Sequence, residues 1–331
     1  MQAFTTLLSK IKKGDYSPFY LLSGTEPFFI DAICDTLISQ LVDEASRDFD
    51  FAQFYGKEAL ASDIIEAAKR FPMLSSYNLL VIKEAQFMNP SEFDALAQYA
   101  AQPMNQSIVV LCYKNKAFDK RKKLYKAVEK TGEILTVLPL YDNQLAPWIR
   151  EQARIKKLDI SPIAIELLAN AIGANLSTLD SELNKLKVVV AAGETVTQEH
   201  IEKHIGISKS FNSFELQKAI GLGHFSKAFQ IIQYFNQNPK EHPIVLTLAT
   251  LHNYFQKLLL LKGVGSDPKR LGISPYFMKE YQVAAQRFNM KQLTQAMEYV
   301  FEADLKSKGV DAGAKGHKEV LEELLLKLFT L

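Results

Sequence analysis

Cysteine and histidine are scarce in this sequence of 331 residues, and their scarcity excludes several kinds of chemistry. The two cysteines, Cys34 and Cys112, each lie in an apolar stretch, which indicates buried free thiols in a reducing compartment. All six histidines lie at residue 200 or later, so the first half of the chain offers no histidine as a general base. His200 and His204 share a helix face but lack a third ligand, and no CxxC motif occurs. We therefore predict a solvated helix face there, with no metal and no cofactor.

The sequence also lacks a strong net charge and an export signal. The formal net charge is +2, so bulk electrostatics do not require a nucleic-acid partner. The N-terminal segment has no long apolar core followed by a small-residue cleavage site. The most apolar later segment, residues 244–261, is interrupted by His252, Asn253 and Lys257, which favours a buried helix over a membrane span. We therefore expect a cytoplasmic protein with no membrane contact.

Strand and helix patterns alternate from about residue 17 to residue 139. Five short runs, most of them continuously apolar, are typical of strands buried on both faces of a parallel sheet. These runs are residues 19–24, 49–56, 78–84, 107–113 and 133–140. Helical patterns fill the segments between them. The alternation predicts a doubly wound α/β domain.

After Pro139 the pattern changes to helices that are separated by glycine, asparagine and proline, with no convincing strand. One helix there carries a stripe of apolar residues at spacings of three and four, which predicts a single buried face. The members of this stripe are Ile244, Leu248, Leu251, Phe255 and Leu258. The fold class is therefore α/β plus all-α. We place the domains at residues 1–140 (α/β), 141–208 (a small helical unit) and 209–331 (a larger helical unit).

The first strand-to-helix turn, LLSGTEPFFIDAI, lies where a phosphate-binding loop would lie in such a domain. A P-loop has the form G-x-x-x-x-G-K-[ST], so that backbone N–H groups and a lysine enclose the phosphates. Gly24 opens the turn here, but Glu26 and Pro27 follow it. Glu26 would repel a phosphate, and Pro27 has no N–H to donate. The turn predicts that no nucleoside triphosphate binds.

The third strand shows a second departure from an ATPase. LLVIKEAQF has the form hhhhDEAx, in which the first acid would hold magnesium and the second would orient a water molecule. Lys83 occupies the position of the first acid, and a cation cannot bind a cation. Glu84 remains, but alone it is a weak signal. Two independent losses in one domain predict a chain without catalytic residues of its own.

A basic segment, KAFDKRKKLYK at residues 116–126, carries six cationic side chains and a single acid, Asp119. Such a cluster could contact DNA phosphates, and the candidates are Lys120, Arg121, Lys122 and Lys123. The alternative is an amphipathic helix with a solvated basic face and with Phe118, Leu124 and Tyr125 facing inward. Nothing in the segment reads bases, which favours the solvated face over direct DNA contact. A contact with an acidic partner surface stays open.

An apolar tip, FPML at residues 71–74, precedes the third strand. Pro72 ends the preceding helix and biases Phe71 towards extended backbone. Met73 and Leu74 then lie between a helix end and a strand, where they could fold back as local core. A flexible methionine beside a leucine is also typical of a protrusion that fills a partner's apolar pocket. Both interpretations remain open on these residues alone.

Four segments, in this order, resemble the delta subunit of the bacterial DNA polymerase III clamp loader. They are YLLSGTEPFFID (20–31), FDKRKKLYKAVEK (118–130), GANLSTLDSELNKLKV (173–188) and EADLKSKG (302–309). The first resembles the family's LxGxExxL turn, the third its GNLxxLxxELEKL segment, and the last its collar signature. The resemblance covers nearly the whole chain.

The resemblance implies an AAA+-like domain with a degenerate nucleotide site at Gly24, Glu26, Lys83 and Glu84. It implies a helical lid at residues 141–208 and a helical collar at 209–331 that joins a pentameric ring. In this family the lid normally lacks an ATP-sensing arginine, and Ser177 and Thr178 agree with that.

In function, the resemblance implies a non-catalytic subunit that binds the beta sliding clamp and holds it open for loading on primed DNA during replication. The gamma/tau clamp-loader subunits would bind and hydrolyse ATP, and a delta-prime subunit would complete the ring. The family's clamp contact, two adjacent apolar residues on the tip before the third strand, falls on Met73 and Leu74. Phe71 and Pro72 are further candidates for this contact.

Two other functions stay open. One is an active ATPase with unusual motifs. The other is an ATP-independent helical adaptor, or a direct nucleic-acid-binding protein, that acts through residues 116–126.

Overall fold

Five parallel strands form the centre of the N-terminal part of the chain in the computed structural model. They are β1 (Phe19–Gly24), β2 (Phe51–Tyr55), β3 (Asn78–Lys83), β4 (Ser107–Lys114) and β5 (Glu133–Val137). Their order in the sheet is β2-β3-β4-β1-β5, and every pair of neighbours is parallel. All six residues of β1 are buried, as expected for a central strand that helices cover on both faces. The predicted doubly wound parallel sheet is confirmed.

Helices cover both faces of this sheet. They are α1 (Gln2–Lys12), α2 (Pro27–Leu41), α3 (Arg47–Asp50), α4 (Ala61–Lys69), α5 (Pro90–Ala101) and α6 (Lys123–Thr131), with a 3-10 turn at Ala85–Phe87. Alternate strand residues, Phe19 and Leu21 among them, form one buried cluster with residues of α4, α5 and α6. On the opposite face, α2 contacts β1, β3 and β4.

The structure describes residues 2–191, 193–206, 211–264, 271, 273, 277–311, 313 and 316–331. Internal packing divides the chain into two units, Met1–Pro139 and Leu140–Leu331. The predicted boundary between the two helical domains, at residues 208 and 209, lies outside the described residues. That boundary stays a prediction.

Several predicted elements have different bounds in the structure, and three of the differences have a local cause or exceed one residue. The strand predicted at 49–56 begins at Phe51, because residues 47–50 form the helical turn α3, in which the Asp50 N–H bonds to the Ser46 carbonyl at 2.8 Å. The helix predicted from Phe118 begins only at Lys123. The Asp119 carboxylate accepts the Arg121 N–H at 2.9 Å, a local turn that competes with a helix. The last strand ends at Val137, before Pro139.

The second unit is mainly helical. Its helices are α7 (Asp142–Ile155), α8 (Pro162–Ile172), α9 (Leu176–Val189), α10 (Gln198–Ile205), α11 (Ser213–Leu222), α12 (Phe225–Gln237), α13 (Ile244–Val264), α14 (Met278–Arg287), α15 (Met290–Ser307) and α16 (His317–Phe329). The prediction that this part has no strand is wrong, because β6 (Asp159–Ile160) and β7 (Thr195–Val196) pair in parallel. Two-residue strands are too short to show a periodicity in the sequence.

The predicted apolar stripe on α13 is confirmed. Its members, Ile244, Leu248, Leu251, Phe255 and Leu258, are all buried in the core of the helical unit. Among the described residues, α13 is the one helix whose length and composition would also suit a membrane span. In this structure the stripe packs against other helices of the unit, as in the core helix of a globular domain.

Candidate functional site

The apolar tip projects from the first unit between the end of α4 and the start of β3. The exposed fractions are 72% for Phe71, 72% for Met73 and 62% for Leu74, whereas Pro72 is half-buried. The structure therefore does not contain the local core that these side chains could have formed. Contiguous exposed apolar side chains on a soluble domain are typical of a binding surface.

A buried carboxylate holds the backbone of this tip. Asp50, at the end of α3, is 2% exposed. Its two oxygens accept the N–H groups of Met73 at 2.6 Å, Leu74 at 2.8 Å and Ser75 at 2.6 Å. The sequence did not reveal this role, because Asp50 fell inside a predicted strand and its partners lie more than 20 residues away. Phe49, beside it in the chain, is also exposed, which its place at the start of the predicted strand did not indicate.

Opposing effects act on the pKa of Asp50. Burial raises this pKa, but the hydrogen bonds from the three backbone N–H groups and from the Ser75 side chain together outweigh burial and lower it below its ordinary value of 3.8. The ionised carboxylate is therefore stabilised in the folded state. Its contribution to stability is present above the ordinary pKa and is lost as the pH falls through the lowered one.

Two backbone donors of the turn after β1 are already bonded within the domain. The Gly24 N–H donates to the Lys116 carbonyl at 3.1 Å, and the Thr25 N–H donates to the Val137 carbonyl at 3.0 Å. A Cβ atom on Gly24 would lie 1.9 Å from the Val137 carbonyl oxygen, so this glycine permits the close approach of β5.

The N-terminus of α2 already carries an anion. Glu26 caps this helix by accepting the Phe28 N–H at 3.2 Å, and it is 9% exposed. Burial raises the pKa of Glu26, against the smaller lowering effect of that hydrogen bond. The Glu26 carboxylate therefore occupies an N–H donor of this helix terminus that could otherwise bind a phosphate.

The carboxyl end of the sheet, where nucleotides bind in folds of this type, carries lysines. Lys83 ends β3 and is half-buried, and Glu84 follows it as an exposed residue with a left-handed backbone, φ +54°. Lys114 ends β4 and makes an ion pair with Asp31 of α2 at 2.6 Å. Lysine therefore stands at the end of β3, where a magnesium ion would need an acid.

The basic segment is exposed, but most of it is not helical. Lys120, Arg121 and Lys122 lie in the turn before α6, and Lys123 is the first residue of α6. Arg121 makes an ion pair with Asp119 at 3.0 Å, and Lys123 lies 4.0 Å from a carboxylate oxygen of Asp94. The inward orientation of three apolar residues is as predicted, with Phe118 and Leu124 buried and Tyr125 half-buried.

The two cysteines are buried, and one histidine of the pair caps a helix. Cys34 and Cys112 are free and buried, as predicted. His200 serves as a cap of α10, since its Nδ1 accepts the Thr197 N–H at 3.1 Å. Among the described residues, no group of three or more histidine, cysteine, aspartate or glutamate side chains could hold a metal ion.

Ser177 and Thr178, which the resemblance assigns to a lid, lie at the start of α9. Asn175 caps this helix by accepting the Thr178 N–H at 3.1 Å, which gives the sequence Asn-Leu-Ser-Thr a structural role.

Comparisons with known proteins identify the same family that the four sequence segments resemble. Residues 20–138 match the model of the family described as DNA polymerase III, delta subunit, and residues 210–328 match that of the DNA polymerase III delta subunit, C-terminal domain. The chain is similar to DNA polymerase III subunit delta of Bacillus subtilis (strain 168), with 25% identity over 333 residues, 96% of this chain and 94% of that protein.

A solved structure has the same fold. The Bacillus subtilis DNA clamp loader delta protein (YqeN) superposes with a TM-score of 0.55 at 24% identity, over 99% of this chain and 100% of that one. The predicted fold class, a doubly wound parallel α/β domain followed by a mainly helical part, is confirmed.

Proposed function

The chain belongs to the delta-subunit family of the DNA polymerase III clamp loader, and on this premise we propose that it binds the beta sliding clamp through Met73 and Leu74. Phe71 and Pro72 border the same surface. The bound subunit opens the clamp or holds it open for loading on primed DNA during replication. It works in the cytoplasm, in a complex with the gamma/tau ATPase subunits and a delta-prime subunit, and does not hydrolyse ATP itself.

The proposal rests on one observation. The apolar side chains of the tip are exposed, while the backbone N–H groups of residues 73–75 are bonded to the buried Asp50 carboxylate. Burial of two such side chains in an apolar pocket contributes at most about 3–6 kcal/mol before ordering costs. A shift towards the open clamp requires that the tip binds the opened interface better than the closed one. Nucleotide binding by the neighbouring subunits would expose the tip, and hydrolysis triggered by primed DNA would withdraw it.

The direct test is a binding measurement between the full chain and the sliding clamp of the same organism. We expect a stable complex with the isolated subunit, because the tip is exposed without any partner. The ATPase subunits should join the complex through the chain in a pull-down. Absence of clamp binding, both alone and with the ATPase subunits present, would overturn the proposal.

Nucleotide titration separates this proposal from an active ATPase. We expect no magnesium-dependent binding of ATP to the isolated chain, because the amides of Gly24 and Thr25 are bonded to carbonyl groups and Glu26 caps α2. Isothermal titration with ATP and magnesium measures this, with a gamma/tau ATPase subunit as the positive control. Tight binding that is lost on magnesium removal would favour the ATPase alternative.

Direct DNA binding is a second candidate function, because the basic turn before α6 is exposed. We expect only weak DNA affinity for the isolated chain, since the turn presents cations but nothing that reads bases. The test replaces Lys120, Arg121, Lys122 and Lys123 with glutamine and measures DNA affinity against salt concentration. A control variant makes the same charge change at four other exposed lysines, namely Lys12, Lys13, Lys187 and Lys203. Strong, salt-dependent affinity that only the first variant loses would favour the DNA-binding alternative.

A further inference from the structure

The tip has an unusual arrangement of polar and apolar groups. Three successive N–H groups, of Met73, Leu74 and Ser75, converge on the single carboxylate of Asp50. Among the described residues, no backbone carbonyl accepts a hydrogen bond from any of these three N–H groups. The polar backbone of the tip therefore faces into the domain, and its apolar side chains face the solvent.

The anchoring residue cannot itself contact a partner protein. Asp50 is 2% exposed, and its oxygens are engaged by the tip backbone, at distances typical of charge-assisted hydrogen bonds. An ionised carboxylate has about four acceptor positions and no donor, so it suits a cluster of N–H groups better than any neutral side chain does. Any effect of Asp50 on binding must therefore act through the conformation of residues 73–75.

We propose that Asp50 is a positioning residue for clamp docking, which fixes the tip in its binding conformation before the clamp arrives. This inference rests on the proposed function. A loop that is already ordered before binding has little conformational entropy left to lose. The apparent Kd is the intrinsic Kd divided by the fraction of molecules in the binding conformation, so molecules in other conformations weaken binding. Without the carboxylate, the fraction in the binding conformation falls.

Asp50→Asn in the full chain tests the inference. The amide has nearly the same shape, but it offers one acceptor oxygen and turns an NH₂ group towards backbone donors. We expect the Kd for the sliding clamp to rise about tenfold or more. Asp50→Ser, whose hydroxyl is a smaller acceptor, gives a second variant in case the amide impairs folding.

Glu92→Gln is the matched control. The Glu92 carboxylate accepts the Ala61 N–H at 2.7 Å at the start of α4, so this variant also removes a carboxylate bond to backbone in the same unit. It leaves the bonds of residues 73–75 in place. We expect a smaller loss of thermal stability, because Glu92 accepts one backbone N–H where Asp50 accepts three, and an unchanged Kd.

Two further readouts distinguish positioning from general damage. Amide hydrogen exchange should become faster at residues 73–75 in Asp50→Asn and stay slow in β3 and β4. In binding kinetics, Asp50→Asn should lower the association rate, because fewer molecules are competent at encounter. Leu74→Ala removes a contact and should instead raise the dissociation rate.

Each outcome bears on one of the two proposals. If Asp50→Asn binds normally while the double variant Met73→Ala with Leu74→Ala has lost binding, the positioning role is wrong and the proposed function stands. If the double variant also binds normally, the proposed clamp site itself fails. A loss of affinity in Glu92→Gln as large as in Asp50→Asn would assign the effect to general destabilisation and overturn the inference.

Discussion

Replacing both Met73 and Leu74 with alanine is expected to lower the affinity for the sliding clamp by about 10²-fold to 10⁴-fold. Full burial of each side chain is worth about 1.5–3 kcal/mol, and each 1.4 kcal/mol changes the Kd tenfold. The fold should persist, because both side chains are exposed and substitutions at such sites change stability by about 0.5 kcal/mol or less. Surface plasmon resonance with immobilised clamp measures the affinity, and circular dichroism checks the fold.

A matched control removes two adjacent exposed apolar side chains elsewhere. Val188 and Val189, at the end of α9, are exposed, and their double alanine variant should bind the clamp normally. Single alanine variants of Phe71 and Pro72 then define how far the contact extends along the tip. Unchanged affinity of the Met73 and Leu74 double variant would show that the clamp binds another surface.

Gly24→Ala is expected to destabilise the first unit by at least about 3 kcal/mol. Gly24 has φ +138°, a conformation that side chains disfavour, and its added Cβ would lie 1.9 Å from the Val137 carbonyl oxygen. That contact is with backbone, so relief would require β5 to move away from β1. Calorimetry or far-UV circular dichroism should show the fall in unfolding temperature. Fluorescence of Trp148, the single tryptophan, reports separately on the second unit.

Gly14→Ala is the control for backbone conformation alone. Gly14 also has a positive φ, +79°, but no atom lies within 4 Å of the position of an added Cβ. Its replacement should cost about 1–2 kcal/mol, the penalty of the left-handed conformation. If Gly24→Ala were no more damaging than Gly14→Ala, the close approach of β5 would not be the reason for the glycine.

The two units differ in how much of them could be predicted. The strands β1, β3 and β4 could be predicted, because strands buried on both faces are continuous apolar runs. The pair β6 and β7 could not, because two residues show no period. The start of α6 was placed too early, since helical patterning does not reveal the turn that Asp119 makes with Arg121.

Those features of the candidate site that depend on residue type could be predicted from the sequence. Those that depend on tertiary contacts could not. The residues after β1 predict the loss of a phosphate loop, and those between α4 and β3 mark an apolar tip. Whether that tip is exposed or folds back as local core could not be predicted from them. The anchoring by Asp50 depends on a tertiary contact across more than 20 residues of chain, and no local pattern encodes that contact. The sequence places Gly24 in a degenerate nucleotide site, and only the structure shows that this glycine also accommodates the Val137 carbonyl.

Because Asp50 binds the main chain, the backbone conformation at residues 73 and 74 does not depend on which side chains they carry. The carboxylate bonds only to main-chain N–H groups at residues 73 and 74, which every amino acid except proline possesses. Side chains there can therefore change together with the pocket of a clamp, while the loop beneath keeps its shape. Recognition can therefore change on an unaltered framework, and proline is the one residue that lacks the N–H group this framework needs at residues 73 and 74.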